Sequence, residues 1–199
     1  MGCPRYYFAL RLDLVVGPNG AGKSTLIRLV LSPAWPTSLV VNADVIAAQR
    51  WPDDPEAHAY EAAEVAASTR SELIGRRTPF IAETVFSHPS KLQLLRAAND
   101  AGFYTALHLV MVPEELAVAR VVTRVSAGGH SVPENKIRSR FHRLWHLVGE
   151  AIAFSDSATC YDTSRRPRPL TVALFSNGFL IGQPEWPAWT PVELSSRWP

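Results

Sequence analysis

Between Gly17 and Leu26 the chain reads GPNGAGKSTL, with Gly17, Gly22, Lys23 and Ser24 at the spacing Gly-x-x-x-x-Gly-Lys-Ser. That spacing is what a bound triphosphate requires. Glycines let backbone N–H groups turn inward around phosphate oxygens, and the following helix N-terminus adds the positive end of its dipole. Lys23 is expected to reach the β- and γ-phosphates, and the Ser24 hydroxyl to ligate Mg²⁺. Pro18, Asn19, Gly20, Ala21 and Thr25 complete the expected nucleotide-binding loop. An apolar strand before it and an amphipathic helix after it separate this loop from a chance glycine-rich turn.

Two carboxylates are placed to work beside such a loop. Asp44 follows LVVNA and Glu83 ends PFIAE. In an open parallel sheet the carboxyl ends of the strands line the ligand crevice, and the first strand delivers the phosphate loop to that same edge. Asp44 is therefore a candidate general base that takes a proton from an acceptor hydroxyl. Its other reading, the N-cap of the helix VIAAQR, stays open. Glu83 and Thr84 are expected to bind the acceptor, with a Mg²⁺-bound water as the alternative partner of Glu83.

Transferring a phosphoryl group also needs cations against the developing charge. Arg120 and Arg124 are four residues apart, hence on one helix face. In the next helix Ile137, Phe141, Leu144 and Val148 form an apolar stripe, with Arg140 on one edge and Arg138 on the other flank. Arg143 lies further round. These arginines flank Gly128-Gly129-His130, where a mobile lid would hinge.

Strand and helix signals alternate along the chain in a way that can hold these groups. Strands are expected at Phe8–Val16, Leu39–Val41, 79–84, 103–112 and 158–162, with helical stretches between them. SPAWPTS reads as a turn-rich connector, Pro55 as the first position of an alanine-rich helix, and Gly102 as a helix stop. Pro113 opens a helix ending near Ala127, and Pro133 another reaching Phe154. This alternation predicts an α/β fold, a P-loop three-layer sandwich with a mainly parallel sheet and helices on both faces. Residues 1–164 form the expected P-loop domain. Residues 165–199 hold six of the sixteen prolines and three of the six tryptophans, which predicts a C-terminal hairpin turning at Ser176-Asn177-Gly178 and then an irregular, non-helical tail packed on the domain.

Bulk properties narrow the class. With 199 residues, 47% hydrophobic and 19% charged, the chain fits one soluble globular domain. A net charge of +2 reads as a mild excess spread along the chain, so neither a membrane surface nor a nucleic-acid track is expected as partner. Cys3 and Cys160 form no metal or disulfide pattern, no apolar run nears the ~20 residues that span a bilayer, and the first residues lack the pattern expected of a signal peptide. Tyr6 breaks the acylation pattern that MGC would begin. The expected compartment is the cytoplasm.

The chain has no Leu-Ser-Gly-Gly-Gln signature of a transporter ATPase and no Asn-Lys-x-Asp guanine-reading motif. It resembles instead the zeta-toxin-like P-loop kinases, in the short bacterial branch often labelled ABC-type ATPases. The matching pieces are GPNGAGKSTL, VNADVIA, FIAETVFS, ARVVTRV, GGHSVPENKIRSRF and CYDTS, in order from residue 15 to about 164. The resemblance implies an ATP- and Mg²⁺-dependent kinase. Zeta toxins phosphorylate UDP-N-acetylglucosamine on a sugar hydroxyl and are neutralised by an antitoxin protein. It further implies Asp44 as catalytic base, Glu83 and Thr84 on the acceptor sugar, and Arg124 with Arg120 facing phosphate. Where zeta toxins carry a second arginine before Thr-Pro, this chain has His130 before Ser131-Val132-Pro133, with Arg138 or Arg140 as the expected replacement for that charge or a retuned site; His130 is expected on the acceptor side and Arg140 on the nucleotide side. A polynucleotide or nucleoside kinase and a non-catalytic ATP-binding regulator remain as alternative readings.

Overall fold

The computed structural model describes residues 10–126, 132–165 and 168–199. Strand β1 (Arg11–Val16) buries every residue after Arg11, as a central strand must. Around it lie β2 (Leu39–Asn42), β3 (Phe80–Thr84), β4 (Tyr104–Met111) and β5 (Ser157–Asp162), all parallel, in the order β2-β3-β1-β4-β5. A hairpin of β6 (Leu170–Ser176) and β7 (Phe179–Ile181) continues the same sheet antiparallel from β5. The register pairs Val16 with Thr84 and Asn42 with Glu83, so the carboxyl ends of β1, β2 and β3 meet at one edge.

Helices cover both faces. On one side the helix α1 (residues 23–34) and the start of α5 (Glu114–Ser126) bury Leu26, Ile27, Leu31 and Ala117 against Val15, Ile81 and Val110. On the other, α3 (Ala59–Gly75), α4 (Ser90–Asp100) and α6 (Glu134–Phe154) pack on Leu12, Leu14, Leu107 and Leu109. The short α2 (Ala43–Arg50) leads from β2 toward α3. The mainly parallel sandwich is as expected from the alternation of strand and helix signals.

Three local expectations are corrected. The helix after the loop does not stop at SPAWPTS: a five-residue π-helical stretch, Ile27–Leu31, runs on into Ser32–Ala34, closed by Trp35 N–H donating to Leu31 at 2.8 Å. Pro55 does not open α3, because Asp54 holds a separate turn by accepting Ala57 N–H at 3.1 Å, and the helix begins at Ala59. The proline-rich tail is not wholly irregular. Pro191 precedes one helical turn, α7 (Val192–Ser195), that buries Leu194, where a proline fits because its missing N–H is not needed. Trp186, Trp189 and Trp198 pack against the main core, and the Trp186 indole N–H donates to the Trp198 carbonyl at 2.7 Å. No helix among the described residues is long and apolar enough to cross a membrane.

Candidate active site

The loop after β1 is shaped by backbone conformations that side chains oppose. At Gly17 a Cβ would collide with the carbonyl of Val110. Gly22 has φ +94° and forms the N-cap of α1. Lys23 is only 8% exposed, and its Nζ donates to the Pro18 carbonyl at 3.0 Å, which curls the loop over its own ammonium. Burial pulls the Lys23 pKa down. Glu83 and Asp44 oppose that pull, while Arg124 and Arg140 reinforce it. These five charges therefore share one electrostatic site.

Glu83 closes the loop from the neighbouring strand. Its carboxylate accepts the Ser24 hydroxyl at 3.1 and 3.0 Å and the Asn42 side-chain amide at 2.8 Å. Asn42 is also the N-cap of α2, its Oδ1 accepting the Asp44 N–H at 2.8 Å. Capping thus falls to Asn42. Asp44 sits in the first turn with its carboxyl free of that duty, and lines the same cleft.

The cleft is large, about 1150 Å³, and extends from Asn19–Thr25 past Asp44, Glu83 and Thr84 to α3 and α4. Arg120, Arg124 and Arg140 line it. Arg120 is also tied down: its guanidinium donates to the Thr163 carbonyl at 2.8 Å and lies 3.5 Å from the Gly20 carbonyl. Arg138 is turned away, held by Glu114, Glu115 and Glu134 at 3.2, 2.6 and 2.8 Å. His130 and the Gly128-Gly129 break lie outside the described residues.

Sequence reading missed several lining groups. Asn42 has a signal, since Asn before Ala-Asp at a helix start is a capping position. Arg70, Lys91, Lys136, Arg165 and Arg168 have none that ties them to the loop. Together they overturn the expectation of spread charge: nine Lys or Arg residues line the cleft against three carboxylates. The fold gathers the positive residues there, while the chain as a whole carries only +2.

A family model described as an AAA domain matches residues 12–144, two-thirds of the chain. The chain belongs to this AAA domain family. The family match spans β1 to mid-α6 and so includes the loop, Asp44, Glu83 and the arginines. No curated protein matches the sequence. Among solved structures, a chain of the AvrRxo1-ORF1:AvrRxo1-ORF2 complex with ATP has TM-score 0.69 at 14% identity, covering 96% of this chain and 63% of that one. A chain of the PezAT chromosomal toxin-antitoxin system of Streptococcus pneumoniae has TM-score 0.60 at 16% identity, covering 77% and 67%. Shikimate kinase from Acinetobacter baumannii, in complex with shikimate, has TM-score 0.52 at 18% identity, covering 80% and 86%. At these identities the likeness is one of fold alone. The chain spans about three-fifths of the length of the AvrRxo1 complex chains it matches.

Proposed function

We propose that the protein is an ATP- and Mg²⁺-dependent phosphotransferase that passes the γ-phosphate to a hydroxyl of a small acceptor. The observation that carries this reading is the meeting of Lys23, the Ser24–Glu83 pair and Asp44 in one cleft. The donor set fits the metal. A hydroxyl and a carboxylate are hard oxygen donors, which Mg²⁺ takes alongside phosphates and waters rather than in an all-protein cage. Among the described residues no group of three His, Cys, Asp or Glu forms such a cage.

In this reading the loop and Lys23 would hold the β- and γ-phosphates, and Ser24 with Glu83 would hold Mg²⁺. Bound there, the metal neutralises charge on the transferred group. Asp44 accepts the proton of the attacking hydroxyl, Arg124 and Arg140 face the developing negative charge, and Thr84 and His130 belong to the acceptor side. The contacts of Glu83 favour its metal-side role over direct binding of an acceptor sugar.

UDP-N-acetylglucosamine is the first acceptor to assay, on the strength of the zeta-toxin resemblance, and a cognate antitoxin protein is the partner that resemblance implies. The nine-to-three excess of basic residues in the cleft equally suits a nucleotide end, so a nucleoside or polynucleotide acceptor is the second reading. Transfer from [γ-³²P]ATP, run with nucleotide sugars and with 5′-hydroxyl oligonucleotides, tests both. Asp44→Ala should reduce turnover by about 10²-fold or more with ATP affinity retained. Transfer to neither acceptor class, or full turnover without Asp44, overturns the proposal.

A further inference from the structure

Ala62, Ala66, Arg70 and Leu73 are the buried positions of α3, so Arg70 occupies a place on an apolar stripe and is only 4% exposed. A guanidinium keeps its proton at any physiological pH, and burying one is costly unless a carboxylate or carbonyl oxygens compensate. Arg138 shows such compensation, with three carboxylates around one side chain. Arg70 has no hydrogen-bond or ion-pair partner among the described residues. Its side chain lines the cleft instead.

A second cation stands near it. Lys91, in the first turn of α4, lines the same part of the cleft and is partly buried. Burial pulls its ammonium below the ordinary lysine value, and the neighbouring Arg70 charge pulls it further. Burial likewise lowers Arg70. Four of the cleft's other charges are engaged at the loop: Asp44, Glu83, Arg124 and Arg140 act on Lys23. Arg70 and Lys91 come from the helices before and after β3, whereas the loop follows β1. The cleft therefore has a donor end at the loop and a separate basic end without a carboxylate on either cation.

We propose that Arg70 and Lys91 form a subsite for a doubly charged phosphate or diphosphate group carried by the acceptor, so that the molecule phosphorylated is an anion and not a neutral polyol. A phosphate carries close to two negative charges at neutral pH and three acceptor oxygens, which matches two adjacent cations, one of them a planar guanidinium. The word acceptor rests on the phosphotransferase reading; the anion subsite is a binding claim that stands without it.

The test is calorimetry on the full chain with its loop saturated by Mg·AMP-PNP, titrated with pyrophosphate in one arm and inorganic phosphate in the other. Wild type should bind one pyrophosphate or phosphate beyond the nucleotide, and the tighter of the two arms tells a diphosphate from a monoester. Arg70→Met and Lys91→Met should each weaken that binding about tenfold or more, leaving AMP-PNP affinity as it was. Arg70→Met should also unfold at the same or a higher temperature than wild type without ligand, because it removes an unpaired buried charge. An arginine kept for structure would give a lower one. If Arg70→Met does not fold, Lys91→Met carries the test. No second anion on loaded wild type, or binding indifferent to both substitutions, overturns the subsite. Turnover is not read here, so a protein that transfers no phosphate yet binds pyrophosphate through Arg70 would sink the kinase reading and leave the subsite standing.

Discussion

The Ser24 hydroxyl donates to the Glu83 carboxylate, 3.1 Å from one oxygen and 3.0 Å from the other, and so joins the phosphate loop to the end of β3. The Asn42 amide holds the same carboxylate from β2 at 2.8 Å. The phosphate loop and the ends of β2 and β3 thereby meet at one carboxylate.

Asn42 does two things that substitution can separate. Its Oδ1 caps α2 and its Nδ2 orients Glu83. Asn42→Ala should cost about 1 kcal/mol in thermal unfolding for the lost cap. It should also weaken Mg²⁺-dependent ATP binding by about 10–100-fold, as loss of an outer-shell partner does. Asn42→Asp keeps a capping oxygen but loses the amide donor, so it should recover stability and not Mg²⁺ affinity. Recovery of both in a Mg²⁺ titration would remove Asn42 from the positioning of Glu83.

If the loop binds ATP as proposed, Lys23 should give that binding a defined pH dependence. Burial holds its pKa below the ordinary lysine value in the free protein. A triphosphate beside it favours the charged form and raises that pKa again. Between the two values the complex binds more protons than the free protein. ATP binding should then take up a proton and weaken as pH rises through that window. Calorimetry in buffers of different ionisation enthalpy measures the uptake. Lys23→Met should abolish it and weaken ATP binding.

Arg138 and Arg140 flank one apolar stripe, and their contacts divide their roles. Arg138 is held by Glu114, Glu115 and Glu134, hydrogen bonds that raise its pKa and keep it on the outer surface of α6. Arg140 lines the cleft. Arg140→Ala should lower kcat by about 10²-fold or more, as removal of a preorganised charge-stabilising donor does. Arg138→Ala should leave kcat unchanged and shift the unfolding temperature only slightly, since exposed ion pairs contribute little. Equal losses in the two variants would break this assignment.

Most of the loop end of the cleft was legible because its residues are local in sequence. The loop's glycines, lysine and serine are adjacent in sequence, and Asp44 and Glu83 directly end strands whose register the parallel sheet dictates. What escaped depends on contacts between distant elements. Arg138 and Arg140 look alike beside the stripe of α6, and the acidic first turn of α5, together with Glu134, captures one of them. Arg70 stands among alanines in a helix where an arginine reads as solvated, and only the packing of α3 on the sheet turns it inward. The charge of the cleft follows the same logic: residues far apart in sequence meet only when the sheet brings its strand ends together.

Away from the cleft, Asp13 is the polar anchor of the sheet. It is 2% exposed, accepts hydrogen bonds from Nε and Nη2 of Arg11, each at 2.8 Å, and pairs with His108 Nε2 at 2.9 Å, while His108 Nδ1 lies 3.4 Å from the Tyr161 hydroxyl. None of the four lines the cleft. Burial alone would push the Asp13 carboxyl up, but hydrogen bonds from His108 and Arg11 outweigh it and hold the group below the usual carboxylate range. A depressed folded-state value means the stabilisation is complete above the ordinary aspartate pKa and is lost as pH falls through the depressed one. Asp13→Ala leaves the Arg11 cation against Trp35 and Tyr104 without its carboxylate. It should cost about 3 kcal/mol at neutral pH, the scale for breaking a buried ion pair from one side. Urea unfolding of wild type and variant from pH 7 to pH 3 should show the gap narrowing on the acid side. A gap that stays constant over that range would mean that packing, not the Asp13 charge, sets the loss.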